Sequence, residues 1–105
     1  MAVFAVCKRV KLTGTAAVAI HTVGDGRHGV LAINVAALLA HKIKLAVTAG
    51  AAPADDDWIE FNAPIPLGGA LERTGIVAPA GFKIFAQTDI ANSAAVQVWG
   101  LEETS

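Results

Sequence analysis

Three histidines, one cysteine and a run of three aspartates are the residues of this chain with the most chemistry to offer. His21, His28 and His41 fall at no metal-ligand spacing, with neither H-x-x-x-H nor C-x-x-C in the sequence. Each reads as a solvated or locally hydrogen-bonded side chain. Cys7 sits in an apolar alternating run with Val3 and Ala5, where a free cysteine acts as a small hydrophobe, so a buried structural thiol is expected. Asp55, Asp56 and Asp57 offer oxygen ligands in a Pro-containing loop. The Gly and terminal Glu of a calcium loop are missing there, and a solvated turn is the expectation. The segment Gly24–Gly26 lacks the Lys and helix of a phosphate cradle and reads as a hairpin turn. No nucleophile elbow, catalytic triad or paired catalytic carboxylates emerge, so the sequence supports neither an enzyme nor a cofactor or metal site.

The elements that must position these residues are short. Turn residues recur at Gly14, Gly24–Gly26, Gly50–Asp57, Pro64–Gly69, Pro79–Gly81 and Asp89–Ser93, with apolar runs of strand length between them. That punctuation predicts an all-β, eight-stranded antiparallel β-sandwich, jelly-roll-like, as a single domain over residues 1–105. The expected strands are Ala2–Lys8, Thr15–Val23, Gly29–Val35, Lys42–Thr48, Trp58–Asn62, Leu71–Val77, Phe82–Thr88 and Ala94–Gly100. In the fourth, Ile43, Leu45 and Val47 share one face and Lys42, Lys44 and Ala46 the other. In the seventh, Phe82, Ile84 and Ala86 oppose Lys83, Phe85 and Gln87. Between the third and fourth, Val35–His41 is rich in Ala and Leu and is expected to be a connection with one helical turn.

Composition sets further bounds. Of the 105 residues, 54% are hydrophobic, but 22 are Ala, so the core is thin and oligomerisation is a natural expectation. Eight Lys and Arg against nine Asp and Glu leave a net charge of −1, which argues against a nucleic-acid binder living on phosphate contacts. The basic residues concentrate before Leu45 and the acidic ones after it, a pattern that suits contact between copies or interleaving of strands. No apolar stretch is long enough for a membrane span, and the charges follow the opening apolar run instead of preceding it, so no signal peptide is expected. One cysteine rules out an intrachain disulfide. Tyr is absent, so a sugar-binding surface would depend on Trp58 or Trp99.

Several segments, taken in order, carry a resemblance. They are Thr15–Val23 with its Gly turn, Val30–Val35, Lys42–Val47, Pro64–Gly69, Leu71–Val77 with the turn Pro79–Gly81, and Val96–Glu103. The most specific are Glu72, Thr74, Gly75 and Ile76 in one strand and the closing Val98, Gly100, Glu102 and Glu103. Together, over about Thr15 to Glu103, they resemble a family of small virion proteins of tailed bacteriophages. The resemblance implies an eight-stranded sandwich assembled into virions in the host cytoplasm. It implies a capsid decoration (cement) protein that stabilises the head shell as a homo-oligomer against the major capsid protein, with a trimer suggested by capsid three-fold sites. Neck, collar or tail proteins and a receptor- or glycan-binding module are the alternatives, and no catalytic residue carries over. The chain departs from such proteins at Val35–Ala40, which is too apolar for a solvated turn. Val35, Leu38 and Leu39 are therefore the candidate subunit-interface residues: the segment either folds back to plug one end of its own sandwich or, the favoured expectation, docks on a neighbouring subunit.

Overall fold

The alternation of apolar and polar residues resolves into eight strands in a computed structural model that describes residues 2–105. They are β1 (Val3–Leu12), β2 (Val18–Thr22), β3 (Arg27–Ala37), β4 (His41–Thr48), β5 (Trp58–Ile65), β6 (Ala70–Pro79), β7 (Lys83–Thr88) and β8 (Ala94–Thr104). No helix occurs among the described residues. Two four-stranded sheets form, in the orders β1-β8-β3-β6 and β2-β7-β4-β5, and every pairing is antiparallel. Only β4 and β5 are consecutive strands paired in one sheet. All other connections cross between sheets, which is the jelly-roll arrangement of a double-sheet sandwich.

Between the sheets lies one core. Leu31, Ile33 and Val35 of β3 and Val96 and Val98 of β8 face Ile43 and Leu45 of β4 and Ile84 of β7, all fully or almost fully buried. Each strand supplies alternate residues, as the period of a pleated strand requires. The Ala-rich composition fits this arrangement, because Ala37, Ala78, Ala86 and Ala94 let the layers approach closely.

The chain corrects the sequence reading in several places, strand bounds among them: β2 begins at Val18, β5 runs on to Ile65, β6 spans Ala70–Pro79 and β8 runs on to Thr104. Val35 and Ala37 belong to β3, which runs on to Ala37, and residues 38–40 bend into β4 without a helical turn. Tertiary pairing with β6 and β8 overrides the helical propensity of Ala and Leu here. β1 continues past Lys8 to Leu12, since on an edge strand the long side chains of Lys8, Arg9 and Lys11 reach water. Within β1 the inward residues are Phe4, Val6, Val10 and Leu12, so Cys7 lies on the opposite face and is exposed. A buried thiol was the wrong expectation, because the apolar run gave no sign of which parity faced the core. In β7, Phe85 is buried on the outer side of its sheet, paired between Ala19 and Ala46. Small neighbours on both flanking strands leave a trough that the ring fills.

Two glycines are fixed by geometry. Gly75, at φ +67°, sits in the bulge where Thr74 and Gly75 together oppose Ala32. Gly100, at φ +151°, lies so close to β3 that a Cβ atom would stand 2.2 Å from the Val30 carbonyl oxygen.

Candidate functional site

The loops at one end of the sandwich gather the exposed apolar side chains that the sequence singled out. Leu38 and Leu39, in the β3–β4 connection, are 46% and 49% exposed. Their backbone N–H groups both donate to the Ser93 carbonyl, at 2.7 and 3.3 Å, which ties this connection to the β7–β8 turn. Gly68 N–H donates to the Ala37 carbonyl at 3.1 Å and so brings the β5–β6 turn, with exposed Leu67, against the same connection. The β7–β8 turn adds exposed Ile90, and its Ser93 hydroxyl donates to the Ile90 carbonyl at 2.6 Å. Leu38, Leu39, Leu67 and Ile90 thus form one end-surface on hydrogen-bonded loops. Val35 does not join them. It points into the core with no exposed surface, so its place as an interface residue is withdrawn.

Beside this end-surface, Pro64, Ile65, Pro66, Asp89 and Ile90 border an open depression of about 500 Å³ that His41 also lines. His41 is buried, and its Nδ1–H donates to the Leu39 carbonyl at 2.9 Å. Its Nε2 has no hydrogen-bond partner among the described residues.

The other two histidines lie toward the opposite end. His28 is partly exposed beside Glu103, at 3.6 Å, and Ser105. His21 of β2 donates from Nε2–H to Oε2 of Glu102 in β8, joining the two sheets. Glu102 is only 2% exposed, and its Oε1 accepts from Gly24 N–H at 3.2 Å with the Arg27 guanidinium at 3.5 Å. Burial alone would push this carboxyl up. The His21 hydrogen bond, the Gly24 N–H, the charge on His21 and Arg27 together outweigh burial and hold it below its ordinary value. Arg27 also stacks over Phe4, with its guanidinium carbon 3.5 Å from the ring centroid. Both carboxylate oxygens are occupied by groups of the chain itself, so the cluster works as a clasp between sheets. The sequence gives no sign of it, since nothing local distinguishes Glu102 from its neighbour Glu103.

On the outer face of the β2-β7-β4-β5 sheet, Trp58 and Phe61 meet edge to face at 5.8 Å, and Lys44 Nζ lies 4.5 Å from the Phe61 centroid. Next to them a polar recess of about 210 Å³ is lined by Lys42, Lys44, Asn62, Gln87 and Asp89 among others. This is the aromatic surface that a sugar ring could use, centred on Trp58. In the β4–β5 loop, Asp57 turns inward on its own backbone, accepting from Ala54 N–H at 2.7 Å, while Asp55 and Asp56 are exposed. Among the described residues no three His, Cys, Asp or Glu side chains stand close enough to share a metal ion.

No protein-family model matches the chain, and no curated protein matches it in sequence.

Proposed function

We propose that the chain is a structural protein of a tailed-phage virion, working as a capsid decoration (cement) protein that binds the head shell as an oligomer. The observation that carries this reading is the end-surface of Leu38, Leu39, Leu67 and Ile90, held out on loops bonded to one another. Exposed apolar side chains grouped in this way suit burial against another protein. The jelly-roll strand order is one that capsid proteins use, although lectins and cupins share it and fold alone assigns no role. The segment-by-segment resemblance to small virion proteins supplies the phage context.

Quantitative gel densitometry of purified particles tests the reading. A decoration protein approaches the stoichiometry of the major capsid protein, whereas a neck, collar or tail component stays at a small fraction of it. Absence from particles overturns the virion assignment. A second reading, a glycan-binding module, is favoured by the Trp58–Phe61 pair beside its polar recess. A glycan array with wild type and Trp58→Ala separates the two.

A further inference from the structure

The outer face of the β1-β8-β3-β6 sheet is apolar across its whole width at one level and polar across its width two levels on. Strand register sets Ala5, Leu101, Val30 and Val77 side by side over all four strands. Val30, Val77 and Leu101 are 52%, 69% and 48% exposed. The next level carries Cys7, Trp99 and Ala32, with the Thr74–Gly75 bulge completing it. Beyond it lie Arg9, Gln97, Asn34 and Glu72, again in register.

We propose that this face packs on the same face of a second copy, about a two-fold axis that runs along the strands between β8 and β3. Such an axis lays β1 of one copy over β6 of the other and β8 over β3, keeping each level opposite itself. Arg9 then meets Glu72 of the second copy, twice. Trp99, the largest side chain on the face, stands over Ala32, one of the smallest, and Cys7 over the bulge at Gly75. Leu101 meets Val30, and Ala5 meets Val77. Charge and size are complementary at every level named. A two-fold axis running across the strands at the Cys7–Trp99 level would instead lay the apolar level against Arg9 and Glu72, and one at the apolar level would lay Trp99 over Glu103, each burying charge on hydrocarbon. The strand-parallel axis is the one the residues select.

The area suffices. Four strands about 4.8 Å apart, with eight residue steps of about 3.4 Å from Val3 to Lys11, give about 500 Å² on each copy and about 1,000 Å² in all. That reaches the threshold of roughly 1,000 Å² for a specific interface, and two-fold dimers are the commonest symmetric assembly. The inference is a two-fold pair where analogy with capsid sites suggested a trimer, and it stands independently of the virion reading.

Sedimentation equilibrium on the full chain from low to high micromolar concentration should give a dimer. Arg9→Glu should weaken association about tenfold, and Arg9→Glu combined with Glu72→Arg should restore it. Within one copy these residues lie on opposite edge strands, about 14 Å apart, so restoration reports contact between copies. Trp99→Asp should give a monomer with unchanged circular dichroism. Alkylation of Cys7 should slow as concentration rises through the dimerisation range. A monomer throughout, a trimer, or a dimer that Arg9→Glu leaves intact or the double reversal fails to rescue overturns the proposal. Particle stoichiometry, measured separately, decides the virion reading whichever way this result falls.

Discussion

His21 and Glu102 stand 81 positions apart in the chain and on different sheets, yet the imidazole N–H donates to a carboxylate that is almost wholly buried. The pair fastens β2 to β8 at the end of the sandwich where the Gly24 turn supplies a second donor. Removing His21 takes one hydrogen-bond donor from a buried carboxylate that keeps only the Gly24 N–H and the Arg27 guanidinium. His21→Ala is therefore expected to cost about 1.5–3 kcal/mol, read as a lower denaturation midpoint with unchanged slope.

Acid should weaken the fold through Glu102. Its carboxyl is held below the ordinary value of 4.5 in the folded chain, so the ionised form is bound more tightly by the native state than by the unfolded one. That stabilisation is fully present above about pH 4.5 and is lost as pH falls through the lower folded value. Melting temperature measured against pH should fall on this acid limb, and Glu102→Gln should flatten it.

Gly100→Ala tests the closest approach of β8 to β3. The new methyl would meet the Val30 carbonyl oxygen, and φ there is one that Ala rarely adopts. A loss of more than about 1 kcal/mol is expected in chemical denaturation. A neutral result would mean that the two strands can separate at Leu31 without consequence.

Val35 and the Leu38–Leu39 pair should part company under mutation. Val35→Ala removes core volume and should cost about 1–3 kcal/mol of stability. Leu38→Asp with Leu39→Asp should leave the melting temperature of the isolated chain almost unchanged, because both side chains are half in water already. Particle binding, measured by co-sedimentation with undecorated heads, should be lost only in the second variant.

Measured below the dimerisation range, Cys7→Ser should shift stability by less than about 0.5 kcal/mol, since within one copy the thiol is exposed and the hydroxyl stays hydrated. A large loss in urea denaturation would show the position to be packed.

All eight strands could be read from the spacing of turn residues and the period-two alternation, as in Ile43 and Leu45. Alternation fixes which residues share a face, but on edge strand β1 it does not say which face is inside. There Val6 won over Cys7 because the register with β8 places Val6, Phe4 and Leu12 toward the core. The end-surface was half legible: Leu38 and Leu39 stood out as apolar residues in a turn, while Leu67 and Ile90 lie 28 and 51 positions beyond Leu39 and joined them only through folding. Likewise nothing local distinguishes Glu102 from Glu103. Their roles diverge because adjacent strand residues point to opposite faces, one into the sandwich and one into water.

The place of β8 in its sheet has a temporal consequence. This strand lies between β1 and β3, and it emerges from the ribosome after the other seven. Until it arrives, β1 has no neighbour in its sheet, β3 lacks the partner on one side, and Val96 and Val98 are missing from the core. A nascent chain therefore carries two open hydrogen-bonding edges through most of its synthesis. Closure is a late, long-range event, of the kind that makes β topologies slow to fold and leaves them exposed to aggregation while they wait.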